Sequence, residues 1–204
     1  IYCQPLRASP RFAPGIPAQL IECVLIVSRI FSKLRESATA RSLAEKFKSS
    51  AQQKVTLIIG RMRPLDRDQV TRELQAVLKT GTQSSADTPL QIVISTQCLE
   101  VGADLDFDAI VTECASLDAL RQRFGRLNRD GRPGITARGV VVLPEEQNIE
   151  ESKLSDEKPS DPIYGNAIPR TWRWLETLTK DSTVDFGLNA MTEAVKAARQ
   201  ADEE

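Results

Sequence analysis

Histidine is absent from all 204 residues. That excludes histidine acid–base chemistry, Ser-His and Cys-His nucleophilic catalysis and histidine-ligated metal nucleases within this chain. The four cysteines (Cys3, Cys23, Cys98 and Cys114) are scattered and form no C-x-x-C pair, so a structural zinc site is not expected. Cys23 and Cys114 fall inside apolar, strand-like runs and read as buried free thiols, which fits a cytoplasmic protein. No apolar run reaches the length of a membrane span, and the N-terminus lacks the basic start and long apolar stretch of a signal peptide. No membrane partner is therefore expected. The formal net charge of −1 argues against a uniformly basic nucleic-acid binder and leaves room only for a local basic groove. The chain starts at Ile1, and Met62 and Met191 are its only methionines, so a piece of a longer protein is expected.

What is present is ordinary for a globular chain: 41% apolar and 27% charged residues, enough for one good core with appendages. Residues 1–18 carry Pro5, Pro10, Pro14 and Pro17 and read as a linker. Continuous apolar runs of buried-strand length follow at Ile21 to Ser28, Val55 to Ile59, Gln91 to Ser95, Ala109 to Thr112 and Gly139 to Leu143. Between them lie amphipathic helical patterns at Ile30 to Phe47, at Pro64 to Lys79 (with Gly81 as its stop) and at Leu117 to Phe124. Alternation of this kind predicts βα units and a parallel sheet, with ligands at the carboxyl ends of the strands. The expected lobe spans residues 19–145. An acidic, proline-spaced linker over 146–163 and a helical extension over 164–204 follow it. In that extension Trp172 and Trp174 point apart on a helix, which favours core packing over a platform for stacking bases.

Two stretches carry chemistry. Ser95 to Asp108 leaves a strand, turns at Gly102 and presents Glu100, Asp104, Asp106 and Asp108. A glycine there lets backbone approach a ligand, a carboxylate beyond it accepts hydrogen bonds from sugar hydroxyls, and Thr96 offers a hydroxyl and an amide to a phosphate. A plain strand-to-loop turn with solvated acids, or a carboxylate pair for magnesium or glycosidase chemistry, fits this stretch alone as well. Leu120 to Arg132 holds five arginines (Arg121, Arg123, Arg126, Arg129 and Arg132), with no acid before Asp130. Such a face repels itself unless an anion binds, and guanidinium groups bind phosphate bidentately and stabilise phosphoryl transfer as arginine fingers. The plain alternative is a solvated or nucleic-acid-facing basic helix. Gly125 counts against a plain helix, since it costs about 1 kcal/mol relative to alanine inside one.

Together the two stretches are far more specific. Thr96-x5-Gly102-x-Asp104 resembles motif V of superfamily-two helicases, and Gln122-Arg123-x-Gly125-Arg126-x-x-Arg129 resembles their motif VI. The longer wording around them, with Gly60 to Asp68 (GRMRPLDRD) and Ser28-Arg29 in the place of motif IV, is similar to the helicase–nuclease family of type I CRISPR interference. The resemblance covers about residues 20–143. It implies a RecA-like, P-loop NTPase-type α/β lobe, the second of a two-lobed motor. It further implies that Arg126 and Arg129 are fingers reaching the γ-phosphate of ATP across a cleft. Gln122 and Arg123 would couple the nucleotide to the opposite lobe, and Gly102 and Asp104 would lie near the ribose and phosphates. Ser28, Gly60, Arg61 and Thr96 would hold the sugar-phosphate backbone of single-stranded DNA. Asp106 and Asp108 would be structural.

A motor also needs a G-x-x-x-x-G-K-[ST] loop and a D-E-x-[HD] stretch, and this chain has neither. The resemblance places both in a first lobe, which would hold Mg2+. It places a His-Asp metal nuclease elsewhere and makes an RNA-guided CRISPR surveillance complex the expected partner. This chain alone is then expected to be inactive as an ATPase. Three other readings stand beside this one: a lobe of another superfamily-two DNA or RNA helicase, an inert nucleic-acid-binding or assembly module of the same fold, and a small-molecule α/β enzyme. The last has only Glu100 and Asp104 as a candidate pair.

Overall fold

The computed structural model describes residues 2–7, 23–27, 53–60, 62–78, 90–96, 104–132, 137–143, 147–155, 159–179 and 183–203. Their elements in chain order are β1 (Tyr2–Arg7), β2 (Cys23–Val27), β3 (Gln53–Ile58), α1 (Pro64–Leu78), β4 (Leu90–Ser95), β5 (Ala109–Glu113), α2 (Leu117–Phe124), β6 (Arg138–Leu143), a single 3-10 turn (Glu151–Lys153), α3 (Ala167–Leu178), β7 (Val184–Asp185) and α4 (Leu188–Glu203). The expected strands and helices that fall on these residues form with small shifts at their ends. The helix expected over Ile30 to Phe47 lies outside the described residues.

The strands make one sheet in the order β3-β4-β2-β5-β6-β1-β7, parallel throughout except that β7 runs antiparallel to β1. Parallel strands are buried on both faces, which is why the runs read as continuous Val, Ile and Leu and not as alternating. In β4, all five residues from Gln91 to Ser95 are buried. Val93 joins the larger core with Ile58, Leu74 and Leu78, while Ile92 and Ile94 build a second cluster with Val55, Leu57 and Val111. That split follows from the two-residue period of the strand.

Two expectations about organisation change. The stretch read as an N-terminal linker contains β1, which pairs with β6 along its whole length from Tyr2↔Arg138 to Arg7↔Leu143. Pro5 is tolerated there because φ near −65° is compatible with extended backbone, although proline gives up its ladder donor. The C-terminal extension packs on the lobe, as expected of a helix over residues 164–179. β7 closes the far edge of the sheet, and Ile168, Trp172, Leu175, Phe186 and Met191 share one core with Leu120, Phe124 and Val141. Trp172 is 3% exposed, as core packing requires. Within the expected acidic linker, Asp161 is buried. It accepts hydrogen bonds from the amides of Ile163 and Tyr164 at 2.8 Å each, forming a turn that leads into α3. Glu151 pairs with Arg170 and Arg173 of α3, so its charge is used in seating that helix.

Register brings the strand ends level. Ser95 pairs with both Ile58 and Val27, and Val27 pairs with Thr112. The segments after Ile58, Ser95 and Thr112 therefore leave the sheet at the same height, on the edge where open α/β sheets bind ligands.

Candidate nucleotide and nucleic-acid site

Helix α2 carries Gln122 and Arg123, and the turn that follows it carries Arg126 and Arg129. Ser116 caps its N-terminus, with its hydroxyl accepting from the Ala119 amide at 3.4 Å. Asp118 in the first turn and Arg121 and Arg123 in the last complement the helix dipole. Ala119, Leu120, Arg123 and Phe124 are buried, and Arg121 and Gln122 are exposed. The arginines of this stretch therefore do not share one face.

Arg123 points inward. It is the largest fully buried side chain among the described residues, 1% exposed. Its guanidinium donates to the Thr112 hydroxyl at 2.7 Å, the Glu113 carbonyl at 3.0 Å and the Tyr164 hydroxyl at 3.3 Å. A buried guanidinium costs several kcal/mol of desolvation on the order of magnitude unless such partners satisfy it. These contacts tie Arg123, for which the resemblance implies coupling of the nucleotide to the opposite lobe, to β5 and the C-terminal extension.

Gly125 ends α2 as its C-cap at φ −64°, so the helix-interior cost expected from the sequence does not arise. The chain then turns, with Arg126 N bonded to Arg123 O at 3.0 Å and Leu127 N to Phe124 O at 3.0 Å. It next runs beside Phe107 in a short parallel bridge: Phe107 N donates to Arg126 O at 2.9 Å and Asn128 N to Phe107 O at 3.0 Å. This bridge fastens the two sequence motifs to each other.

Arg126, Arg129 and Asp104 meet at that junction. The Arg129 guanidinium lies 3.2 Å from the Asp104 carboxylate, with both side chains nearly half exposed. Burial lowers the pKa of Arg126, the positive charge of Arg129 lowers it further, and Asp104 acts in the opposite direction. Two guanidinium groups close enough to repel, one of them partly desolvated, lie beside the Asp104 carboxylate. A polyanion such as a triphosphate has the charge that complements two such groups. Among the described residues no group of three or more His, Cys, Asp or Glu side chains could hold a metal.

Asp106 and Asp108 have structural roles here. Asp106 accepts from the Arg129 amide at 2.8 Å, and its own amide donates to Leu78 O at 2.8 Å. Asp108 pairs with Arg132 at 2.6 Å. Sequence reasoning missed the turn that makes this possible. Asn128 takes φ 41°, its side-chain oxygen accepts from the Arg132 amide at 2.9 Å, and Gly131 takes φ 63°. The spacing Asn-x-x-Gly was the available signal, since these residues tolerate the left-handed region.

Gly60 and Thr96 come together at the carboxyl ends of β3 and β4. Thr96 N donates to Ile58 O at 3.1 Å, and Gly60 N donates to the Thr96 hydroxyl at 3.2 Å. Gln122 stands apart from them and lines a cleft of about 580 Å³ between α2 and the start of α4, with Phe186 and Met191 on its far wall. Ser28, Arg61, Glu100 and Gly102 lie outside the described residues. Tyr164, the partner of Arg123, carries no sequence signal that would have marked it.

Comparison with known proteins agrees on one family. The family model described as CRISPR-associated nuclease/helicase Cas3, C-terminal, matches residues 21–132, more than half of the chain. A CRISPR-associated endonuclease/helicase Cas3 from Thermus thermophilus is 49% identical over 91 residues, covering 43% of this chain and 10% of that protein. A putative CRISPR-associated nuclease/helicase Cas3 from Methanocaldococcus jannaschii is 29% identical over 150 residues, covering 72% of this chain and 20% of that protein. In structure, the chain is similar to the crystal structure of T. fusca Cas3-ATP, with a TM-score of 0.66 at 16% identity over 95% of this chain and 23% of that one. The chain thus spans a quarter or less of the length of each of these proteins. Its parallel sheet flanked by helices is that of their C-terminal helicase lobe, and the chain belongs to the CRISPR-associated nuclease/helicase Cas3 family as its C-terminal part.

Proposed function

We propose that this chain is the second motor lobe of an ATP-dependent DNA helicase acting in type I CRISPR defence. The observation that carries this is the meeting of Arg126, Arg129 and Asp104 beside the Phe107–Leu127 bridge that joins the two motifs, just before β5; Gly60 and Thr96 meet separately, at the carboxyl ends of β3 and β4. In this reading ATP, with Mg2+ held mainly by the first lobe, supplies the phosphoryl group that is transferred to water. Arg126 and Arg129 bring positive charge to the γ-phosphate from across the cleft. Asp104 holds Arg129 in the open state and meets the nucleotide when the lobes close. An exposed pair of this kind contributes only about 0–1 kcal/mol, so an arriving phosphate displaces it readily. Gly60 and Thr96, with Ser28 and Arg61 in the adjoining segments, hold the backbone of one DNA strand. Closing and reopening against the first lobe then moves that strand in steps. The family's surveillance complexes supply the context: a solved CRISPR RNA-guided surveillance complex in its pre-nicking state contains a chain of this fold, with a TM-score of 0.59 at 18% identity.

The test is DNA-stimulated ATP hydrolysis by this chain alone and after it is completed with a first lobe. Activity only in the completed form supports a half-motor. Robust turnover by the 204 residues alone means the site has been misread. DNA binding without turnover in either form favours an inert binding module.

A further inference from the structure

Arg123 stands where the motif resemblance implies a nucleotide-coupling residue, yet the structure buries it completely and gives it partners from two other elements. Thr112 and Glu113 lie at the end of β5, and Tyr164 lies in the C-terminal extension. We propose that Arg123 is a positioning residue, held by Thr112 and by the Tyr164 hydroxyl, through which the seating of the C-terminal extension sets the aim of Arg126 and Arg129. The proposal rests on the motor reading above and deepens it.

The route can be followed bond by bond. Asp161, 2% exposed, fixes the turn before α3 by accepting from the amides of Ile163 and Tyr164. A second side chain, Asn166, ties the same turn to Ser155 O and the Ser160 amide at 3.0 Å each. The turn presents the Tyr164 hydroxyl to the Arg123 guanidinium. Arg123 passes the constraint on through its backbone, because its carbonyl accepts from Arg126 N. Arg126 O in turn receives Phe107 N, next to the aspartates that hold Arg129. The links from Asp161 to Arg123 are hydrogen bonds between buried or partly buried groups, where such bonds are strongest and their loss costs most, and only the final contacts to Arg129 are exposed. A lysine at position 123 keeps the charge but presents one ammonium in place of a planar fork, and cannot reproduce the three divergent contacts. Phe124, the next residue, stacks on Phe186 of the extension at a centroid distance of 4.3 Å, so apolar packing joins the same two parts of the lobe beside the polar link.

The experiment uses the complete protein with both lobes, as wild type, Tyr164→Phe, Arg123→Lys and the double variant. It measures DNA-stimulated kcat and KM for ATP, together with affinity for a non-hydrolysable ATP analogue and for ADP–aluminium fluoride. Thermal unfolding of each variant is recorded in parallel. Tyr164→Phe keeps the ring and its packing and is expected to fold. Its kcat is expected to fall about tenfold, with ADP–aluminium fluoride binding weakened in step and analogue affinity unchanged. Arg123→Lys is expected to lose about a hundredfold in kcat, and the double variant no more than Arg123→Lys alone, because both act through one contact. A folded Tyr164→Phe protein with wild-type kcat overturns the proposal. So do strictly multiplicative losses in the double variant, or losses confined to analogue affinity. A completed wild-type protein that turns over no ATP is a different failure: it removes the motor reading, and this inference with it.

Discussion

The Asp104 carboxylate sits 3.2 Å from the Arg129 guanidinium, while the neighbouring Asp106 carboxylate accepts from the Arg129 backbone amide at 2.8 Å. One arginine is thus held at both ends by the segment that follows β4. The amide contact fixes where the residue is, and the half-exposed side-chain contact leaves its charge available. If Arg126 and Arg129 act across the cleft, Arg126→Ala or Arg129→Ala in the complete motor lowers ATP turnover by about three orders of magnitude and leaves the circular dichroism spectrum and melting temperature near wild type. Wild-type turnover in both variants would sink the assignment.

Asp106 is mostly buried, with 10% of its side chain exposed. Asp106→Ala leaves the Arg129 amide without this acceptor and loosens the turn that begins at Asn128. The expected cost is about 1–3 kcal/mol of unfolding free energy, read as a lower urea midpoint with an unchanged slope. In the complete motor the same variant reduces kcat while Asp106→Asn, which keeps an acceptor oxygen, restores most of it. Equal stability of Asp106→Ala and wild type would show that the contact carries nothing.

Gly139 is required by crowding, not by backbone angle. A Cβ built on it falls 2.2 Å from Phe124 Cε1 and 2.9 Å from Ile110 Cγ2. Phe124 has nowhere to retreat, because it is 2% exposed and stacked on Phe186. Gly139→Ala is therefore expected to destabilise the lobe by about 1–3 kcal/mol through overpacking. The same ring ends α2, so the substitution also shifts the start of the Gly125–Arg129 turn. Urea unfolding of Gly139→Ala beside Gly139→Ala/Phe124→Leu checks this: relief of the cost in the double variant identifies the ring as the obstacle.

How much of this was legible in the sequence follows from the range of the forces involved. β2 to β6 were readable because continuous Val, Ile and Leu runs are what parallel strands need on both faces. α2 was readable because its apolar spacing is local. β1 was hidden by Pro5 and by a partner, β6, more than a hundred residues away in the chain. The acidic stretch before the extension reads as a solvated linker, yet Asp161 and Glu151 use those charges in local bonds. At the site, the chemistry of Arg126, Arg129 and Asp104 was legible from residue type and order. The inward turn of Arg123 was not, since a sequence shows that an arginine is present but not that a tyrosine hydroxyl from another element waits for it.

Cys114 gives a test of the seam between lobe and extension that does not depend on ATP. Its thiol is buried against the first turn of α3 and donates to Ile168 O at 3.7 Å. Burial pushes its pKa up from 9.0 to about 12, opposed by hydrogen bonding with the Ala115 backbone and by the charge of Arg123. A folded-state pKa above the unfolded one means the folded protein keeps a proton that the unfolded chain loses. Stability from this group is therefore complete below pH 9 and declines as pH rises towards 12, with a limiting slope of about 1.4 kcal/mol per pH unit. Stability measured by urea between pH 8 and pH 10.5 should fall more steeply for wild type than for Cys114→Ala. In the same window a thiol reagent should label Cys114 only at the rate of local opening, since the thiolate is the reactive form and the folded site suppresses it. Parallel pH slopes for the two proteins, with rapid labelling at pH 8, would mean that the extension does not cover β5 and α2 in solution, and the route from Tyr164 to Arg123 would lose its footing.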